Sequence, residues 1–307
     1  DLTPLAGLPK LEYLDLYGNQ ITDLTPLAGL KQLNVLKLRD NPKLSRPEID
    51  ALKRALPNLV IFHSLMTNDE RIEANIRLEV EKYGGELTEQ DLAKSTWIRI
   101  EHSIISDLTP LKRTLNLESL HMEANQISDL TPLSELKNLR TILLNRNRIT
   151  DLTPLAGLPK LEKLDLYGNQ ITNDQLKHLA GLRILRKLDL RDNQLTDVSA
   201  LAGLTQLERL DLAGNQITDV GALAGLTQLT VLNLGGNRIT DVSALAGLTR
   251  LTEVNLNATE ITDASALAGL TRLTSLSLWF NPNLTEAAID ELQKALPDCK
   301  IYHNAKK

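Results

Sequence analysis

Cysteine is almost absent: Cys299 is the one such residue among 307. No disulfide can form within the chain, so a cross-linked scaffold is excluded. Aromatic residues are scarce too, with two tryptophans, five tyrosines and two phenylalanines making 3% of the chain. Ring packing cannot fill a core of this size. No apolar run approaches the roughly 18 residues that a membrane-spanning helix needs. Basic charge is not in excess, the net charge being −5, and a sequence pI of 5.6 gives no electrostatic footprint for nucleic acid. Disorder is excluded as well, because 42% of residues are hydrophobic and only 24% charged. Catalytic signatures are missing: there is no H-E-x-x-H, no P-loop, no G-x-S-x-G, and no G-x-G-x-x-G between a strand and a helix. The expectation is a chain that is not an enzyme and takes no cofactor.

What the chain has instead is leucine in a repeat. Asn19 and Asn41, and after a break Asn125, Asn147, Asn169, Asn193, Asn215, Asn237 and Asn281, mark rungs with a spacing of 22 residues. One step, Asn169 to Asn193, is 24 because Asn173 and Asp174 are inserted. Ser103 and Thr259 occupy the asparagine position in two rungs. Before each mark runs L-x-x-L-x-L-x-x-N, as in Leu207, Leu210, Leu212 and Asn215. The L-x-L portion has period two and reads as a short strand with one buried face. One turn cannot bury its own leucines, but a stack of turns can. The asparagine reads as structural, since buried backbone groups at the inward turn need both donors and acceptors. Thr259 and Ser103 can satisfy fewer of them, so those rungs are expected to be looser. The aspartates of the following I-T-D and related triplets (Asp129, Asp151, Asp197, Asp219, Asp241 and Asp263) read as caps of short helical turns.

The pattern resembles the leucine-rich repeat family in its short bacterial, internalin-like class, on segments such as LERLDLAGNQITDVGALAGLTQ. That resemblance implies an α/β fold: a curved right-handed solenoid, a parallel sheet on its concave side and short helical turns on its convex side. It also implies binding to a protein, as internalin-like relatives bind host or cell-surface proteins. A bacterial secreted or cell-surface location follows from the resemblance alone, and a cytoplasmic one stays open.

Two arrays in tandem are expected. Residues 41–63 do not continue the repeat, yet recur as 281–303 with 11 of 23 positions identical. Both read as C-terminal caps with an amphipathic helix and a final strand. Between them, a helix from Asn68 or Asp69 through Tyr83, stopped by Gly84 and Gly85, and a second short helix from Thr88 through Lys94 read as an N-terminal cap. Residues 1–63 are then the tail of one array. Residues 64–307 are a second array, with a helical cap at 66–95, repeats at 96–280 and a cap at 281–307. Residues 1–22 match 151–172 at 21 of 22 positions, which suggests duplication. A start in mid-repeat would leave the strand near Leu14 to Leu16 as an open edge, and self-association through it is one expectation.

The concave face can be read by column. The residue between the strand leucines gives Arg99, His121, Leu143, Asp165, Asp189 and Asp211. The residue before them gives Trp97, Lys163, Lys187 and Arg209. Asp165, Asp189 and Asp211 are expected to pair with Lys163, Lys187 and Arg209. Arg191 lies beside them, and the rings of Tyr13, Tyr17, Trp97, Tyr167, Trp279 and Phe280 fall on concave or rim positions. Exposed rings on a rigid surface are binding anchors, although Trp97 and the Trp279–Phe280 pair can equally pack on caps. These residues are the candidate protein-binding set. Glu101, His121 and Glu123 share a face, but spacing alone shows no convergence, so they read as a solvated rim and no metal is assigned. Two other readings stay open: a regulatory or scaffold region of a larger protein, and glycan binding through Trp279, Phe280 and Tyr167.

Overall fold

A computed structural model of the chain describes residues 1–305. It divides into two compact units, one of Asp1–Ile100 with Arg113–Leu117, the other of Glu101–Lys112 with the chain from Glu118 onward.

The first unit contains β1 (Tyr13–Asp15), β2 (Val35–Lys37), α1 (Arg46–Ala55), β3 (Val60–Phe62), α2 (Asn68–Glu79), α3 (Glu89–Leu92) and β4 (Trp97–Arg99). Strands β1, β2 and β3 pair in parallel, in chain order. Their middle residues Leu36 and Ile61 point into the leucine core, with Leu14 partly buried against it. Val60 and Phe62 face the other way, as does Val35, and are buried against Met66 and Ala74. Helix α2 therefore lies over the outer face of β2 and β3. Three capping boxes open the helices: Ser45 with Glu48, Thr67 with Glu70, and Thr88 with Asp91. Two expected boundaries move. Helix α2 stops at Glu79 rather than Tyr83, because Glu81 takes a left-handed φ of 53° and the Lys82 N–H closes back on the Arg77 carbonyl at 2.9 Å. Helix α3 ends at Leu92 rather than Lys94.

In the second unit the strands are β5 (Ser119–His121), β6 (Thr141–Leu143), β7 (Lys163–Asp165), β8 (Lys187–Asp189), β9 (Arg209–Asp211), β10 (Val231–Asn233), β11 (Glu253–Asn255), β12 (Ser275–Ser277) and β13 (Lys300–Tyr302). Each pairs in parallel with the next, in the register of the sequence repeat as far as β12, as in Leu164 opposite Leu188 opposite Leu210. The returning segments are mostly single 3₁₀ turns, such as Ser199–Leu201; the inserted Asn173 and Asp174 add one turn of α-helix, α4 (Asn173–Leu176). Helix α5 (Glu286–Ala295) precedes the last strand. The strand leucines are sealed, Leu188 being 2% exposed and Leu190 0%. Cys299 is buried as expected, and burial pushes its thiol up from the ordinary range. No helix among the described residues is long and apolar enough to cross a membrane.

The asparagine ladder explains the register. Asn193 Nδ2 donates within its own rung to the carbonyls of Leu190 (3.1 Å) and Arg191 (3.0 Å), and back to Leu166 of the preceding rung (3.1 Å). Its Oδ1 accepts the Ile171 N–H at 3.0 Å. One amide thus serves four backbone groups, most of them buried, and ties two rungs together. The residue before each rung mark is left-handed: Gly168, Gly214 and Gly236 are glycines, but His102, Ala124, Arg146, Asp192, Ala258 and Phe280 hold φ between 46° and 60°. Those side chains are aimed by a backbone conformation that glycine adopts more easily.

Candidate protein-binding face

Strand alternation places three columns on the outer face of the second unit. The first and third residues of each strand form two of them, as the spacing indicates. The third lies two residues further on and contains Glu101, Glu123, Asn145, Tyr167, Arg191, Ala213 and Trp279. Sequence reading found Tyr167, Arg191 and Trp279 singly, without seeing that they are neighbours in one column.

The first-column ladder is Lys163, Lys187 and Arg209, directly opposite one another. The adjacent ladder is Asp165, Asp189 and Asp211, in the same register. The expected cross-pairing between these ladders does not form. Arg191 takes the acids instead: its Nε lies 3.0 Å from both Asp189 oxygens, its Nη2 2.6 Å from Oδ2, and its Nε 3.4 Å from Asp211 Oδ2. A planar guanidinium two residues along the strand can grip a carboxylate with two N–H bonds, which a lysine ammonium cannot. Lys163, Lys187 and Arg209 are exposed and make no ion pair among the described residues.

The acids differ in their surroundings. Asp165 accepts from Tyr167 N–H (3.1 Å) and Asn145 Nδ2 (3.2 Å); Asp211 accepts from Ala213 N–H (3.2 Å) and Asn233 Nδ2 (3.0 Å). Burial still raises both carboxyls above the usual range, outweighing those bonds. Hydrogen bonding to Asp189 holds Arg191 firmly as a cation. Tyr167 is half-buried between two guanidinium groups, Arg146 at 5.4 Å and Arg191 at 4.7 Å from its ring centre. Such stacking fixes the ring and leaves its hydroxyl edge to be met.

The remaining candidates scatter. Leu143 is on the face but only 8% exposed. Trp279 and Phe280 are exposed and their ring centres lie 6.4 Å apart, tilted at 42°. His121 Nε2 lies 3.0 Å from Ser119 Oγ. Glu101, His121 and Glu123 do converge, each with a ligand atom within 4.8 Å of the others. Burial raises the Glu123 carboxyl, helped by the neighbouring Glu101 charge. Tyr13, Tyr17, Trp97 and Arg99 belong to the first unit. Tyr13 there stacks with Lys37 at 5.3 Å, and Glu79 of α2 accepts the Trp97 N–H at 2.8 Å.

Comparison with known proteins follows the same lines. The chain matches the family described as leucine rich repeat over residues 159–217, and that of paired leucine rich repeats over 9–58, 137–180 and 227–269. Among solved structures, internalin C2 from Listeria monocytogenes is 35% identical, covering 67% of this chain and 92% of its own, with a TM-score of 0.65.

The chain belongs to the leucine-rich repeat family.

A leucine-rich repeat protein of Leptospira interrogans shares the fold at 21% identity, covering 98% of each chain with a TM-score of 0.62. The functional domain of InlJ from L. monocytogenes, which includes a cysteine ladder, is 18% identical over 98% of this chain and 65% of its own, with a TM-score of 0.56. No such ladder is possible here, where the single cysteine is Cys299. No curated protein matches the chain. Family membership and the internalin likeness mark this leucine-rich repeat chain as a protein-interaction module of bacterial internalin-like type.

Proposed function

We propose that the chain binds a protein partner on the strand face of its second unit, without catalysis, through the two charge ladders and the Tyr167 clamp. The observation behind this reading is a pair of like-charge stacks, Lys163–Lys187–Arg209 and Asp165–Asp189–Asp211, each directly in register. Like charges opposite one another on parallel strands oppose folding. The repeat does not require them, since the same columns hold Val231 and Asn233 in β10 and Ser275 and Ser277 in β12. Local conflict with folding, concentrated on one exposed patch, is the signature of a surface kept for recognition. The lysine ladder is free to meet acidic groups. The Arg191-braced acids and Tyr167 offer fixed acceptors and a rigid ring beside it. A stiff stacked solenoid loses little freedom on binding, so specificity resides in these side chains. His121 and Leu143 lie on the strands before the patch, β5 and β6, while Trp279 and Phe280 follow β12, beyond β10 and β11. We read residues 1–63 and 64–307 as two tandem arrays, the second of which carries this face; β3 and β13 are their corresponding last strands.

Affinity capture from lysates of the source organism and of host cells tests the reading. The full chain is compared with a variant combining Tyr167→Ala, Lys187→Ala and Asp189→Ala, and with Lys177→Ala on the opposite 3₁₀ turn. A protein kept by the native chain and Lys177→Ala but lost from the triple variant supports it. Equal retention by the triple variant, with loss from Lys177→Ala, moves recognition to the other side.

A further inference from the structure

Glu101 and Glu123 occupy the same place in consecutive rungs. The His102 N–H donates to the Glu123 carbonyl at 3.0 Å, which fixes those rungs in register. His121 lies two residues before Glu123, so both leave the same face. Ligand atoms of all three side chains lie within 4.8 Å of one another. The Oε2 atom of Glu123 is screened from solvent and has no hydrogen-bond partner. A screened carboxylate oxygen without a donor is costly, and a second carboxylate beside it adds repulsion. The fold does not demand this arrangement, since the same column continues with Asn145 and Ala213.

We propose that Glu101, His121 and Glu123 form a binding site for one divalent transition-metal ion of the zinc class. The donor chemistry selects the ion. One imidazole nitrogen with two carboxylate oxygens suits borderline cations such as Zn²⁺. Calcium takes 6–8 oxygen ligands and would gain nothing from the imidazole. The cluster contains no thiolate for a soft ion. Around zinc, with ligands at about 2.1 Å, tetrahedral ligand atoms stand about 3.4 Å apart, so the three ligand atoms, within 4.8 Å of one another, have only about 1 Å to close. The bound ion supplies Glu123 Oε2 with the positive partner it lacks. Ser119 Oγ, 3.0 Å from His121 Nε2, supports the ring from outside, as second partners of ligating histidines do. Three protein ligands leave at least one coordination position open to water or to a donor from outside the chain. The site stands on its own residues and does not depend on the binding face described above.

The test uses the full chain, freed of metal with a chelator and titrated with zinc chloride by calorimetry. One equivalent is expected to bind, weakened by roughly tenfold or more in Glu123→Gln and in His121→Gln. His178→Gln, on a returning turn far along the chain, is expected to bind as the native chain does. Circular dichroism checks that each variant is folded. Cobalt(II) provides a second readout on the native chain alone, because a four- or five-coordinate ion gives a visible absorption band far stronger than the weak one of the aqueous ion. No saturable zinc binding, no strengthened cobalt band, or one-equivalent binding that survives both substitutions overturns the proposal.

Discussion

At the scale of the residue, the rung mark decides how well one turn is joined to the next. An asparagine amide brings two hydrogens and an acceptor to a place where several backbone groups are buried. Thr259 brings one hydroxyl hydrogen, and two acceptors lie within its reach, Leu256 O at 3.0 Å and Asn281 Oδ1 at 2.7 Å. Asn281 Oδ1 also takes the Thr259 N–H at 3.2 Å, where Asn237 Oδ1 takes the N–H of Ile217. Restoring the ladder with Thr259→Asn should stabilise the chain by about 1 kcal/mol, the usual net gain of a hydrogen bond, read as a higher denaturant midpoint at unchanged slope. A lower midpoint would show that the neighbouring rungs have adapted to threonine. The asparagine role was legible because its position alone predicts buried backbone groups. The left-handed residue before it was not, since only some rungs place glycine there and Phe280 or Arg146 gives no sign of positive φ.

At the scale of the element, short turns are held by charge. Asp107, Asp151 and Asp263 accept the N–H two residues on at 2.8 Å, and the following hydroxyl helps hold their carboxyls below the usual range. A folded pKa below the unfolded value of about 4 means stability that is present above that pH and lost as pH falls through the folded value. Asp263→Asn keeps an acceptor but removes the charge. The native chain should therefore melt higher than Asp263→Asn at about pH 6, and the gap should close by about pH 2. A gap independent of pH would assign the cap to geometry rather than charge. Helices α1, α2 and α5 were legible from recurrence and apolar spacing, and their partners were not. Val60 and Phe62 correspond to Lys300 and Tyr302 in the second copy. The apolar pair is buried under α2, while Lys300 and Tyr302 are exposed. That difference is written in the sequence, but only the packing of α2 gives it meaning. The pairing of the charge ladders was misread for a similar reason: column membership follows from period two, whereas the choice of Arg191 over the lysines depends on reach and on guanidinium geometry.

At the scale of the whole molecule, each rung is stabilised mainly by its two neighbours. Leu188→Ala removes sealed leucine from the middle of the second unit and should cost about 2–5 kcal/mol. Its effect should reach the amides of adjacent rungs in hydrogen exchange before those near α5; uniform loss of protection would mean that the stack unfolds as one body. The repeat, its register and its columns were legible because every rung restates them. The convergence of Glu101, His121 and Glu123 was not, since spacing places residues on a face without saying which way side chains turn. Whether a partner sits on the strand face bearing the two charge ladders can be tested directly. A photo-crosslinking residue placed at Lys187 on the strand face, or at Ala202 on the 3₁₀ side, reports which surface a captured protein touches. The expected result is a partner crosslinked from position 187 and not from 202. A partner crosslinked from 202 and not from 187 would contradict the account.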